Sequence, residues 1–292
     1  MEQRQAFTAL VVVQVMYGLL PAAGKTVFAD LDPLAMTSVR VLGAAAVFLV
    51  LHLARQGPWP ARDRWPGITV LALFGIVINM GLFAIGLQWT HPVNATLIIT
   101  IIPVATYLIA VLMGRETIGP RRLAGILLAM SGALYLIGLS GFEADRQTMI
   151  GDILIFTNAL SFSLYLVLSK PLAEEYGARN LTTWMFLPAS LLFLVVAAMV
   201  GTWPQLDAAR GATLGWMTFI IAGPTVAAYL LNNAAIRRAT SSTVAVFIYL
   251  HTPISALAAW AILDTLPSWR VLPAAILILA GVGIVARFSE RR

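Results

Sequence analysis

Apolar runs of about 20 residues, long enough to cross the hydrocarbon core of a bilayer as a helix, recur ten times along this 292-residue chain. They fall near 6–28, 33–54, 67–89, 92–113, 121–139, 151–171, 181–201, 211–236, 240–263 and 269–287. Between them stand short turn-forming segments: Asp30-Leu31-Asp32-Pro33, Gln56-Gly57-Pro58-Trp59-Pro60, Gly119-Pro120, Gly141-Phe142-Glu143 and Leu266-Pro267-Ser268-Trp269. Links this short make neighbouring spans antiparallel, so the pattern predicts an all-α membrane protein with ten transmembrane helices. The first run could pass for the apolar region of a signal peptide. It continues to about Val27 and is followed by many runs of the same kind, so it reads as a retained span.

Composition agrees. Hydrophobic residues make up 60% and charged residues 11%, against roughly 25% charged in a soluble domain. Too few charges remain to build a water-facing surface, and the mean hydropathy of +0.86 makes lipid the fitting solvent. Cysteine is absent, which excludes disulfides, thiolate metal sites and a cysteine nucleophile. The three histidines have no metal-ligand spacing, so neither a metal nor another cofactor is expected. The net charge of +6 comes from basic residues scattered singly or in pairs, which argues against a nucleic-acid partner. Sorted by alternate connectors, Arg4, Arg55, Arg62, Arg64, Arg115, Arg121, Arg122, Lys170, Arg179, Arg237, Arg238, Arg287, Arg291 and Arg292 share one side, 14 of the 19 Lys and Arg residues. Lys25, Arg40, Arg146, Arg210 and Arg270 fall on the other. Basic residues are retained in the cytoplasm, so both termini are expected there.

The two halves of the chain echo one another at an offset of about 145–150 residues. Ile102-Pro103-Val104 in the fourth run corresponds to Thr252-Pro253-Ile254 in the ninth, and Lys25 to Lys170. The stretch from Leu123 to Gly132 corresponds to that from Pro273 to Gly281. A proline inside an apolar run removes a helical hydrogen bond, which makes Pro103 and Pro253 candidate helix breaks. An odd number of spans per half inverts the second copy. The expected units are residues 1–141 and 142–292, two inverted five-helix repeats, an architecture shared by many alternating-access carriers.

The Pro103 and Pro253 helices, the Gly114-Arg115-Glu116 segment and the run from Gly125 to Leu136 together resemble the EamA-type members of the drug/metabolite transporter superfamily. That resemblance implies a pseudo-symmetric basket of helices around a central cavity in a bacterial inner membrane. It also implies export of small metabolites, with aromatic or other neutral amino acids or cationic aromatic compounds as cargo. A small-molecule substrate and membrane lipid are the expected partners, a monomer is the expected working unit, and no enzymatic activity is expected.

Polar side chains within spans normally face a bundle interior or a watery cavity. The candidates for lining such a cavity are Tyr17, Arg40, Asn79, Trp89, Asn94, Tyr107, Asn158, Tyr165, Trp184, Tyr229, Asn232, Tyr249 and His251. The tyrosines and tryptophans could stack on a planar substrate or simply fill the core. Arg40 has no acid within its own span, which leaves two readings: an interfacial pair with Asp30 or Asp32, or a guanidinium that attracts a substrate carboxylate. His251, beside Pro253, could assist a substrate where the helix opens or be satisfied by one interhelical bond. The rival classes are a channel and an intramembrane enzyme, the latter requiring Ser161 or Ser163 to pair with His251. No carboxylate sits near the middle of a run, so proton coupling through a central Asp or Glu is not expected.

The basic-residue bias generates a topological prediction. In this cysteine-free background, an Arg291→Cys variant should react with an impermeant maleimide only after the membrane is permeabilised, whereas labelling in intact cells would reverse the orientation.

Overall fold

The computed structural model describes residues 3–28, 30–138, 146–200, 211–264, 266 and 268–289, except for the side chains of Lys25, Pro92, Val93, Gln147, Ala197, Val200, Leu263 and Ser289. Among the described residues ten helices are long and apolar enough to cross a bilayer: α1 (Gln3–Phe28), α2 (Pro33–Ala54), α3 (Arg62–Trp89), α4 (Asn94–Leu112), α5 (Pro120–Ile137), α6 (Thr148–Tyr176), α7 (Ala178–Val196), α8 (Gly211–Ile236), α9 (Ser241–Ile262) and α10 (Val271–Phe288). The chain is thus an all-helical, multi-pass membrane protein. The expected turn at Gly141-Phe142-Glu143 and the Arg291-Arg292 terminus lie outside the described residues.

Local chemistry sets the helix ends. Asp32 caps α2 by accepting from the backbone N–H groups of Leu34 and Ala35 at 2.8 and 3.0 Å, with Pro33 in the first turn. Such a cap satisfies donors that the first turn of a helix leaves unpaired. Gly177, at φ +79°, takes the left-handed conformation that separates α6 from α7 with a single residue. The α6 helix runs past the expected end at 171, because Pro171 is accommodated inside it.

The main helix pairs are α5 with α10, α3 with α6, α1 with α9, α2 with α7, α1 with α8, and α4 with α6. Exchanging each helix for the one five places on leaves this set unchanged. The α3–α6 pair becomes α8–α1, α1–α9 becomes α6–α4, and α2–α7 and α5–α10 are their own images. The α5–α10 contact repeats the exchange at residue level, with Gly125 against Gly281 and Gly132 against Ala274. A Cβ at Gly132 would lie 2.9 Å from the Ala274 carbonyl oxygen, and one at Gly281 2.6 Å from the Ala129 nitrogen. Lipid offers no hydrophobic drive between helices, so close backbone approach of this kind supplies the packing energy.

Four helices are irregular, and they also correspond. The α3 helix widens to π geometry over Leu73–Ile78, and α8 does so over Ile221–Ala227. The α4 helix is interrupted at Thr100 and Ile101, just before Pro103, and α9 tightens to a 3₁₀ segment over Phe247–Leu250, just before Pro253. Both prolines are buried, and helix irregularity falls where they were expected to cause it.

The α5–α10 contact predicts that Gly281→Val forces two backbones apart and lowers stability by about 1–3 kcal/mol, the usual cost of overpacking. Gly283, two residues on, has no atom within 4 Å of an added Cβ. Gly283→Ala should therefore leave the thermal midpoint of the purified protein nearly unchanged, and equal loss in both variants would reject the contact.

Candidate functional site

The irregular helix segments release carbonyl groups in the bundle interior, and side chains from the opposite five-helix half occupy them. In α3, the Gly75 carbonyl accepts from the Tyr229 hydroxyl at 2.8 Å, the Phe74 carbonyl from Ser161 at 2.7 Å, and the Asn79 carbonyl from the Asn158 amide. In α4, the Thr100 carbonyl accepts from the Tyr249 hydroxyl at 2.8 Å. Tyr165 donates to Asn233 Oδ1 at 2.8 Å, Asn233 donates in turn to Thr182 at 2.8 Å, and Asn232 lies beside the same tyrosine hydroxyl. Tyr165 and Tyr229 have ring centroids 6.3 Å apart, and Phe186 stands edge-on to Tyr229 at 5.1 Å. Tyr165, Tyr229, Tyr249, Asn79, Asn158 and Asn232 are among the candidates named from the sequence, and the fold brings them into one seam with Asn233.

Arg40 enters the same seam from α2. Its Nε donates to the Thr225 hydroxyl, and its Nη2 donates to the Pro224 carbonyl at 3.3 Å, both in the π segment of α8. Tyr17 of α1 and Tyr229 of α8 lie within electrostatic range of the guanidinium. The expected pairing with Asp30 or Asp32 is not what forms: Asp32 caps its own helix and accepts from Gln88, and Asp30 accepts from Thr213. The physical reason is distance along α2. Asp32 sits at its start, while Arg40 lies two turns inside, level with the widened turn of α8. A charge at mid-helix costs roughly 2.5–3.5 kcal/mol on insertion scales, and here the compensation comes from neutral oxygen atoms.

His251 lines a cavity of about 340 Å³ together with Pro21, Thr96, Leu136, Thr252, Ser255, Ala256, Ser268 and Val271. The cavity lies between α1, α4, α5, α9 and the start of α10. It holds five polar side chains, and the imidazole is also hydrogen-bonded to the Ile248 carbonyl within its own helix. Ser161 and Ser163, the hydroxyls an intramembrane hydrolase would aim at His251, instead donate to carbonyls: Ser161 to Phe74, Ser163 to Ile102 at 3.2 Å and Ala159 at 2.8 Å.

At the opposite end of the bundle Glu116 ties the two halves together and Lys170 secures a helix end within the second. Glu116, after α4, accepts from the Ser242 backbone N–H at 3.0 Å and from its hydroxyl, while Arg122 binds the same carboxylate at 2.6 Å. Lys170 of α6 donates to the Ile236 and Ala239 carbonyls at 3.0 and 2.9 Å, satisfying the end of α8. Sequence reasoning missed this cluster. Its only signal was the Gly114-Arg115-Glu116 motif, whose burial depends on α9 arriving beside it.

Several expected cavity residues lie elsewhere. Trp89 is 44% exposed at the end of α3, where amphipathic rings suit a membrane interface. The Tyr107 hydroxyl accepts from Gly119 N–H at 2.7 Å and donates to the Thr117 carbonyl, so it ties down the link to α5. Trp184 is buried against Tyr176 at 5.1 Å as core. Asn94 donates to Asp152 at 3.0 Å, and Thr90 donates to the other oxygen of that carboxylate, joining the starts of α4 and α6.

Comparison with known proteins agrees with this architecture. The model of the EamA-like transporter family matches the chain twice, over residues 5–138 and 149–287. The chain is 25% identical to an uncharacterized transporter of Archaeoglobus fulgidus over 87% of each chain. It is also 25% identical to the uncharacterized transporter YyaM of Bacillus subtilis, over 81% of this chain and 79% of that one. One solved crystal structure superposes with a TM-score of 0.84 at 18% identity, covering 100% of this chain and 99% of the other.

Replacing Glu116 with Ala would strand the Arg122 guanidinium and the Ser242 N–H in a buried place. The expected loss is about 3 kcal/mol, as when one partner of a buried pair is removed. A Glu116→Ala, Arg122→Ala double variant should recover part of it in unfolding measurements on purified protein, and additive losses would show that the pair is not coupled.

Proposed function

The chain belongs to the EamA-like transporter family, and from that premise we propose that it is an alternating-access carrier exporting small metabolites, with aromatic or other neutral amino acids as the substrate class. Its moving parts are two inverted five-helix repeats, residues 1–141 and 142–292. The observation that carries this reading is the helix packing, which is unchanged when each helix is exchanged for the one five places on. Two halves related in that way can open a shared interior to either face in turn. Further support comes from the twofold match of the family model and from the paired π segments in α3 and α8.

The end tied by Glu116, Arg122 and Ser242, where a cavity of about 420 Å³ lies between α6, α7 and α8, faces the cytoplasm of a bacterial inner membrane in this reading, with both termini beside it. The cavity at His251 opens towards the other face. The aromatic preference rests on the likeness to the YddG type of aromatic amino acid exporter, and on Tyr17, Tyr165 and Tyr229 around the seam. Each monomer holds a complete path.

Liposomes containing the purified protein and a labelled amino acid mixture test the reading. Efflux should saturate and should accelerate when unlabelled amino acid is supplied outside. Unsaturable flux would favour a channel, and movement of sugars or nucleotides alone would remove this substrate class. Within that assay, His251→Ala should slow transport per folded protein by about fivefold, roughly the worth of one hydrogen bond. His251→Gln, which keeps a donor and an acceptor, should retain most of the rate.

A further inference from the structure

We infer that Arg40 anchors the carboxylate of the transported molecule, so that the carrier selects acids and amino acids over amines and cationic compounds. The inference rests on the carrier reading above and adds the chemistry that its site selects.

A guanidinium presents five N–H donors in a rigid fork. One edge of the Arg40 fork, Nε with Nη2, is held by the Thr225 hydroxyl and the Pro224 carbonyl. The other edge, Nη1 with Nη2, makes no hydrogen bond to protein among the described residues, and it is the edge that receives a carboxylate with two parallel bonds. The side chain is half-buried among α1, α2 and α8. Its fixed edge matters as much as its free one. Thr225 is itself held by the Ile220 carbonyl at 2.8 Å, so the fork is oriented before any ligand arrives.

Charge points the same way. Among the described residues, no carboxylate pairs with Arg40, and Asp30 and Asp32 are engaged at the end of the bundle. The titratable groups that interact with the guanidinium are the phenols Tyr17 and Tyr229, and the groups bonded to it are neutral oxygens. A positive charge in a low-dielectric interior with neutral neighbours stabilises an incoming anion and repels a cation. At the corresponding place in the second half, 145–150 residues on, α7 runs from Met185 to Ser190 without a basic residue, so the anchor has no counterpart there. One carboxylate per molecule is what such a site accepts, with the rest of the substrate lying against Tyr17.

The experiment is exchange in liposomes with matched sets built on aromatic, branched aliphatic and hydroxylated side chains. Each set contains the amino acid, its amide, the acid lacking the amine and the amine lacking the carboxylate. Wild type should exchange the amino acids and acids at least about tenfold faster than the amides and amines, since a site built to bond one group rejects analogues that lack it. Arg40→Lys should raise the half-saturation concentration for acids with little change in maximal rate, and Arg40→Gln should erase the preference of acid over amide. Equal flux of acids and amines through wild type overturns the assignment while leaving the carrier reading intact. So does an acid preference that survives in folded Arg40→Gln. No flux of any member of the panel rejects the amino-acid carrier reading and this inference with it. If neither variant folds, the acid-to-amide ratio of the wild type decides.

Discussion

A backbone carbonyl released from a helix inside hydrocarbon has no water to accept from, and each such group left unpaired costs several kcal/mol. This chain releases carbonyls at four places, in the widened turns of α3 and α8 and at the proline breaks of α4 and α9. Bonds from the opposite five helices reach the first three. Tyr229, Ser161 and Asn158 reach α3, Tyr249 reaches α4, and Arg40 reaches α8. The seam between the halves is therefore held by the backbone defects of each half and the polar side chains of the other.

Such a seam differs from the rest of the packing in strength and kind. The α5–α10 contact brings glycine backbones together and is intolerant of even one added carbon. Hydrogen bonds between helices in a bilayer average only about 0.6 kcal/mol each, and most of those in the seam join neutral groups. Neutral bonds can be broken and remade without leaving a charge stranded. The charged exceptions are localised: Glu116 with Arg122 at one end, Lys170 beside it, and Arg40 within the seam. A charge within the seam suits a ligand that brings the opposite sign.

The aromatic residues divide by the same rule. Tyr165, Tyr229 and Tyr249 each place a ring in the core and send a hydroxyl to a partner on another helix. Tyr107 uses the same chemistry to secure a connection, and Trp89 stays at a helix end. Residue type alone did not separate these roles, because a tyrosine in any span must bury its ring and satisfy its oxygen.

Ten spans, their alternation and the proline breaks at Pro103 and Pro253 were legible in the sequence because transfer into lipid is summed along consecutive residues, and a missing N–H is a property of one residue. The echo between the halves was legible for the same reason. The widened turns were not: Leu73–Ile78 carries no local breaker, and Pro224 within Ile221–Ala227 marks a missing N–H without specifying π geometry. Nor was the burial of Glu116, which depends on Ser242 arriving from 126 residues away. Arg40 shows the division most plainly. Sequence could say that a charge stood inside a span with no acid in that span, whereas its neighbours were decided by the packing of α2 against α8. A helix exposes every face along one turn, so which face meets lipid, cavity or a partner's carbonyl is determined only by the helices that surround it.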